Sequence, residues 1–228
     1  MFKLQSPIPS KYFSTNQECL LTQFFGENAT SFYAQMGLKG HNGIDFKTKF
    51  IFRWIRNWFD AIERNSEIER LGVIPILAAH DGFLTKGYNN NQSKGIYMKV
   101  LSDETTIDGK KCKVETVYFH LSKVRVWRDD ARKTAQEVLH GSNFVKAGSI
   151  IGWGGNSGQF TTGAHLHFGM TILWKQKGGG FKANTKNGYY GSVDPMLFLK
   201  DNVVYKKGWY STKQYKNGKL LNNITEKV

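Results

Sequence analysis

One segment of the chain has the hydrophobic spacing of an amphipathic helix. Ile51, Trp54, Ile55, Trp58 and Ile62 fall at i, i+3, i+4, i+7 and i+11, which places them on one face of a helix. Arginine, asparagine and acidic side chains fill the other faces, so the pattern predicts a helix packed on the core of a domain. A helix that touches a membrane or covers a substrate is the alternative for the same segment.

From about residue 73 onward the hydrophobic positions follow short β-strands separated by turns. Polar and apolar residues alternate over 95–100 and 113–120, as in strands with one buried face. Asp81-Gly82 and Asp108-Gly109 are turn signals, since Asp-Gly between alternating runs is typical of a β-hairpin. Many short strands joined by turns predict a mainly β fold with an antiparallel sheet core. Further strands are predicted at residues 20–25, 73–79, 145–152 and 164–173.

Length and composition describe one globular domain with additions. The chain has 228 residues, of which 40% are hydrophobic, with 24 glycines and 4 prolines, a profile of tight turns rather than disorder. Its net charge of +14 favours polyanionic partners such as nucleic acid, anionic membrane or phosphate-bearing wall polymers. The basic residues are scattered and no nucleic-acid motif accompanies them, so charge alone does not select a function.

Two cysteines, Cys19 and Cys112, leave the redox compartment open. They can form a disulfide, but two thiols this far apart in sequence are more often buried as small hydrophobic residues. The segment 1–7 lacks the apolar core of a signal peptide. No stretch approaches the roughly 20 apolar residues that span a membrane.

Two histidines in one predicted strand are the first candidates for chemistry. His165 and His167 are two residues apart, so they project from the same face of a strand, while Leu166 and Phe168 turn into the core. Two imidazoles side by side on an apolar strand are costly to leave unpaired. The pair therefore points to a metal or a catalytic role.

A second candidate segment, residues 40–45, contains His41 and Asp45. In an extended chain these two residues lie about 13 Å apart at roughly 3.3 Å per residue, so both reach one ion only if the segment bends. Gly40 and Gly43 supply a permissive backbone for that bend. His41 and Asp45, together with a second histidine from elsewhere in the chain, would suit a catalytic zinc ion that keeps one position open for water. A capped turn with a surface histidine is the alternative.

A third motif, Tyr118-Phe119-His120-Leu121, ends an alternating strand, and His120 alone is typical of a sheet edge. Together and in this order the three motifs resemble the lysostaphin-type (LytM-like) zinc endopeptidases, whose antiparallel β fold is called the duplicated hybrid motif. The family's His-x-x-x-Asp, Tyr-x-His-Leu and His-x-His match residues 41–45, 118–121 and 165–167. Similar supporting segments extend the resemblance over roughly residues 35–200, at 79–82, 145–152, 155–158 and 193–195.

The resemblance implies a role for each of five residues. His41, Asp45 and His167 are expected to hold one zinc ion. His120 and His165 are expected to be catalytic, acting on the attacking water and on the transition state, and which of the two is the general base stays open. The remaining two histidines match no catalytic position and are expected to be structural or exposed, namely His80 and His140.

The expected organisation has three parts. Residues 1–34 form an N-terminal extension that packs on the domain, residues 35–200 the zinc peptidase domain, and residues 201–228 a basic C-terminal tail. Inside the domain, a helical insertion at about 46–72 replaces the short loop of typical family members. Because it follows the metal motif directly, we expect it to form one wall of the cleft and to narrow substrate access.

The expected function is hydrolysis of peptide cross-links or stem peptides of bacterial peptidoglycan. The complete motif set favours an enzyme over the alternative, a non-hydrolytic wall-binding or scaffold protein of the same fold. Only the charge supports a nucleic-acid binder, so nucleic acid is not an expected partner. Anionic wall polymers are expected to attract a chain of charge +14.

The expected place of action is the bacterial cell wall, outside the cytoplasm. A wall enzyme without an export signal needs another route, such as association with virion tail proteins or release by lysis. We therefore expect a bacteriophage enzyme, either a tail-associated lysin or an endolysin. A chain from which the export signal has been removed would also show no such signal.

Overall fold

The computed structural model describes the chain in ten ranges. They are residues 2–10, 18–28, 31–48, 74–89, 94–124, 143–159, 161, 163–200, 203–207 and 213–223. In chain order the described strands are β1 (Glu18–Gln23), β2 (Ile44–Lys47), β3 (Pro75–Leu77), β4 (Gly82–Asn89), β5 (Gly95–Leu101), β6 (Thr105–Ile107), β7 (Lys110–Leu121), β8 (Lys123–Val124), β9 (Phe144–Val145), β10 (Ile150–Trp153), β11 (His165–Lys175), β12 (Phe181–Ala183), β13 (Ser192–Val193), β14 (Val204–Lys207), β15 (Lys213–Lys216) and β16 (Lys219–Asn223). The described helices are α1 (Ser31–Gln35) and two 3-10 helices, Thr185–Asn187 and Pro195–Leu197.

Two sheets contain all of these strands. The larger has the order β16-β15-β14-β1-β2-β11-β7-β5-β4-β9, with β12 and β13 paired to β11 and β6 paired to β7. The smaller has the order β3-β10-β8. Every described pair is antiparallel except β1 with β14. The predicted mainly β fold with an antiparallel core is confirmed.

Turn chemistry decides two of the predicted connections. Asp108 and Gly109 join β6 to β7 with φ of 47° and 75°, the positive values that a two-residue hairpin turn needs. Asp81-Gly82 does not close a hairpin, because Gly82 begins β4 while the preceding strand β3 pairs with β10 in the other sheet. The predicted strand 145–152 is two strands, β9 and β10, since Gly148 turns the chain with φ of 82°.

The core lies between the two sheets and is built by strand alternation. Phe168 on β11 is opposite Tyr118 on β7, and both are fully buried with ring centroids 5.2 Å apart. Ile76 and Ile151 of the smaller sheet belong to the same buried cluster. Side chains alternate between the two faces of β7 and of β11. Every second residue of these strands therefore projects away from this core and is available for a functional site.

Described residues from the N-terminal and C-terminal segments contribute to this core. Leu4 and Ile8 are buried, so the N-terminal residues pack on the sheets. In the predicted C-terminal tail, the described residues 203–207 and 213–223 form three strands that extend the larger sheet beside β1. Tyr205 and Tyr215 are the physical reason, since their aromatic rings are buried in the cluster.

The described ranges cover only the start of the predicted insertion at 46–72. Phe46 and Lys47 belong to strand β2, and the predicted helix over residues 51–62 lies outside the described residues. Cys19 and Cys112 are both buried thiols, as small hydrophobic residues would be. Within the described ranges, no helix combines the length and the apolar character needed to span a membrane.

Candidate metal centre

Strand pairing places the two halves of the candidate site opposite each other. In the antiparallel pair of β2 with β11, Asp45 is directly opposite His167, where side chains share a face and their Cβ atoms lie about 5 Å apart. His165 precedes His167 by two residues and so projects from the same face. Residues distant in the sequence therefore meet through the sheet.

Three donor atoms converge on one point in this site. His41 Nε2 lies 2.9 Å from His167 Nδ1 and 3.1 Å from Asp45 Oδ1, and His167 Nδ1 lies 3.1 Å from the same oxygen. Ligands about 2.0–2.2 Å from a tetrahedral zinc ion are roughly 3.3–3.6 Å apart. The donor atoms of His41, Asp45 and His167 thus form a triangle whose sides are slightly shorter than the distances between the ligands of a bound zinc ion. The types of donor atom fit zinc.

Backbone contacts orient His41 toward this point. Its Nδ1 lies 3.3 Å from the carbonyl oxygen of Phe24, and because a carbonyl only accepts, Nδ1 carries the proton and leaves the Nε2 lone pair for a metal. The bend before His41 is fixed by hydrogen bonds with Gly26 and Glu27, each 2.8 Å long. At Gly40, with φ of 154°, a Cβ would lie 2.5 Å from the Gly26 carbonyl oxygen.

The protonation states of the buried ligands also suit a metal. Burial by itself would raise the pKa of Asp45, but the neighbouring His167 and His41 hold it well below its ordinary range through hydrogen bonds and charge. A zinc ion bound to the same nitrogens would take the place of the protons in those hydrogen bonds. Burial lowers the pKa of His167, which keeps its imidazole neutral. A carboxylate and neutral imidazoles are the forms that bind zinc.

Gly43 makes room for the ring of His167. A Cβ at this position would lie 2.7 Å from His167 Cε1 and 2.7 Å from the carbonyl oxygen of Phe168. Real Cβ atoms essentially never approach other atoms so closely. Glycine is therefore needed here because it has no side chain, and not because of its backbone flexibility.

We expect Gly43→Ala to weaken metal binding more than about tenfold, because the added methyl group displaces the His167 ring from the triangle. Zinc affinity can be measured by competition with a chelator of known affinity. Gly178→Ala is the matched control, since nothing lies within 4 Å of a Cβ at Gly178. Equal zinc affinity in the two variants would contradict this role of Gly43.

A β-bulge aims His120 at the site. The pairing of β5 with β7 shifts between Ile96 and Met98, so that β7 holds one extra residue, and His120 has a φ of 63°. Regular alternation would have turned this residue to the core face. Its Nδ1 donates to the carbonyl oxygen of Ser157 at 2.8 Å, so the lone pair is on Nε2. Burial lowers the pKa of His120 to about 4, which keeps it neutral.

His165 completes the group of five predicted residues. Its Nδ1 donates to the carbonyl oxygen of Gly163 at 2.7 Å, its ring centroid lies 4.6 Å from that of His120, and its Nε2 lies 3.8 Å from Asp45 Oδ2. The structure therefore gathers His120 and His165 beside the triangle. Both present an unprotonated Nε2 when neutral, which is the state of a proton acceptor.

His80 lies apart from these residues. Its Nε2 is 3.0 Å from Thr116 Oγ1, and its Nδ1 is 2.7 Å from the carbonyl oxygen of Asp81. Burial lowers its pKa, so it is a neutral, hydrogen-bonded histidine of the interior, as expected. His140 lies outside the described residues.

Two aromatic residues of the site were not singled out from the sequence. The Phe119 ring stacks on His167 with centroids 5.1 Å apart at 11°. The Tyr33 ring lies 5.8 Å from that of His41, its hydroxyl donates to Gln23 Oε1 at 3.4 Å, and burial and the Asp45 charge raise its pKa to about 12. The position of Phe119 inside the Tyr-x-His-Leu motif is a sequence signal that could have identified it as a residue of the site. No such signal in the sequence identifies Tyr33.

Comparison with known proteins gives likenesses to solved structures. No family model matches the sequence, and no curated protein matches it. A structure of LytU is 26% identical, with 83% of this chain and 90% of that chain covered and a TM-score of 0.44. The NMR solution structure of lysostaphin is 22% identical with a TM-score of 0.42. The match covers 82% of this chain and 55% of the lysostaphin chain. Lysostaphin gives its name to the family that the three motifs resemble.

Proposed function

We propose that the chain is a zinc-dependent endopeptidase that hydrolyses peptide bonds of bacterial peptidoglycan. The observation that carries the proposal is the triangle of His41, Asp45 and His167, whose donor atoms lie 2.9–3.1 Å apart. These three residues would hold one zinc ion. Two further histidines beside the triangle supply acid–base chemistry that a purely structural site does not need.

The metal fits the residues present. Two imidazoles and one carboxylate are the donor set of catalytic rather than structural zinc, which leaves a position open. Zinc, when bound, would polarise the scissile carbonyl and lower the pKa of a water molecule toward about 7. Asp45 contributes a buried negative charge, being 7% exposed, that compensates part of the cation's charge.

We assign proton transfer to the two histidines beside the triangle. His120 is neutral and its Nε2 is unprotonated, so this atom can accept the proton of the attacking water. Ser157 holds the ring by accepting from Nδ1, which fixes the tautomer. His120, once protonated, would return this proton to the leaving amine, and the imidazolium form of His165 would donate its Nε2–H to the developing oxyanion.

Peptidoglycan is the substrate that combines peptide bonds with an anionic surface. The net charge of +14 draws the chain to wall polymers that carry phosphate. Action outside the cytoplasm, on the cell wall, follows from this substrate. The bacteriophage origin and contact with virion tail proteins stay predictions.

The test is digestion of purified peptidoglycan of known cross-link type, with the new amino termini identified by mass spectrometry. We expect the zinc-loaded protein to release amino termini from cross-links or stem peptides, chelation to stop the release, and added zinc to restore it. Products with new reducing sugar ends alone, or release that chelation leaves unchanged, would refute the proposal.

A further inference from the structure

Two exposed phenylalanines form a pair at the β4–β9 edge of the larger sheet. Phe83 is 42% exposed and Phe144 37%, and their ring centroids lie 5.3 Å apart at 75°. Lys146 Nζ is 5.2 Å from the Phe144 centroid and 3.0 Å from the Asp81 carboxylate. Apolar ring surface and paired charges are thus presented side by side.

The pair lies on the same face of the sheet as the candidate metal centre. Across the strands Phe83 is opposite Leu101, which is opposite Glu115, which is opposite Thr171. Directly opposed residues share a face, and so do residues an even number apart in one strand. Thr171 is four residues from His167 in β11, so one continuous face connects the phenylalanine pair to the site.

The surface between them has the length of a short peptide. Val117, Lys99 and Thr85 lie on this face and are partly exposed. Three strand spacings of about 4.8 Å and four residues of about 3.3 Å give a separation of roughly 20 Å from the His167 position to Phe83. An extended peptide of about six residues spans that distance. A peptide cut at the metal centre therefore reaches the pair with its far end.

The size and chemistry of the pair select the occupant. Two rings exposed to this extent offer on the order of 150 Å², far below the roughly 800 Å² per partner of a stable protein interface. A sugar ring has an apolar C–H face and a hydroxyl rim, which match the phenylalanine faces and the Lys146–Asp81 pair.

A cavity adjoins the pair at Asp81. Its volume is about 440 Å³, within the range of small-molecule sites. Lys3, Gln5 and Lys200 contribute polar groups to its lining, and the Ala147 amide donates to Asp81 Oδ1 at 2.8 Å. A polymer of sugar rings lying on the pair would have polar partners for its next ring here.

We propose that Phe83 and Phe144 form a glycan-binding subsite, which holds the sugar strand of the substrate while its peptide lies in the metal centre. This inference rests on the proposed function for the identity of the polymer. It adds a substrate class, the N-acetylated amino sugars, and a site for them away from the chemistry.

The test compares the Phe83→Ser/Phe144→Ser variant with a control at the opposite edge. Leu220→Ser/Leu221→Ser is matched, because those side chains on β16 are 45% and 43% exposed. The probes are the tetrasaccharide of N-acetylglucosamine, intact peptidoglycan sacculi and a cross-linked peptide without sugars. For the phenylalanine variant we expect about a tenfold weaker Kd for the tetrasaccharide and a tenfold lower kcat/KM on sacculi. Cleavage of the sugar-free peptide should equal that of the wild type.

Several results would overturn the inference. They are unchanged tetrasaccharide affinity, an equal loss in the leucine variant, an equal loss on the sugar-free peptide, or a dimer in sedimentation velocity that the phenylalanine variant dissociates. Failure of the proposed function is distinguishable. The wild-type protein could cleave no peptide while the phenylalanine variant still binds the tetrasaccharide more weakly than the wild type does. That result would support the glycan-binding subsite and refute the proposed peptidase.

Discussion

Asp45→Asn is expected to lower zinc affinity by at least about 100-fold and to abolish peptide hydrolysis. Removing a hydrogen-bond partner of a ligand already costs roughly 10–100-fold in metal affinity, and Asp45 supplies the only anionic donor of the triangle. Asparagine keeps the size of the side chain, so the fold should persist. Metal content by mass spectrometry should fall from one zinc per chain toward none.

A second measurement separates metal loss from misfolding. Adding zinc to the metal-free wild type should raise its Tm, because a ligand that binds only the folded state stabilises it. Metal-free Asp45→Asn should remain folded and gain nothing from zinc. Asp103→Asn is the matched control, since its side chain is exposed. One zinc per chain and wild-type turnover in Asp45→Asn would exclude the metal site described here.

His120→Asn is expected to retain one zinc ion and to lose about 10²–10⁴-fold in kcat, the usual contribution of a general base. Asparagine tolerates the positive φ of this position, and its amide can still donate to the Ser157 carbonyl oxygen. The proton acceptor Nε2 is what the substitution removes. Steady-state kinetics on a soluble cross-linked peptide should show the loss in kcat with little change in KM.

Zinc content distinguishes this result from damage to the metal centre. The His120 ring lies beside the triangle but contributes none of its three donor atoms. A His120→Asn variant that loses zinc would make this residue a part of the metal site, and one with wild-type kcat would remove it from the mechanism.

The His165-x-His167 pair was predictable because it depends on local geometry. The side-chain period of two in a strand fixes which residues share a face, and the structure has both histidines on one face of β11. The same holds for Asp108-Gly109, where the residue types alone dictate positive φ values. The mainly β architecture follows from many such local patterns.

The meeting of His41 with His167 required the tertiary structure. The sequence indicates only that residues 41–45 must bend, and the resemblance to a family names the partner. The loop contacts with Gly26 and Glu27 make the bend, and the β2–β11 register brings Asp45 opposite His167. Register between strands more than 100 residues apart depends on which faces the whole core buries.

What the sequence alone determined is therefore the set of candidate ligands and the faces from which their side chains project. The tertiary structure decided the direction of His120, the space that Gly43 leaves, and the single sheet face shared by the metal centre and the phenylalanine pair. A bulge, a close ring contact and a strand order all arise from pairing between distant segments. Periodicity along the chain reports local backbone geometry and carries no information about those pairings.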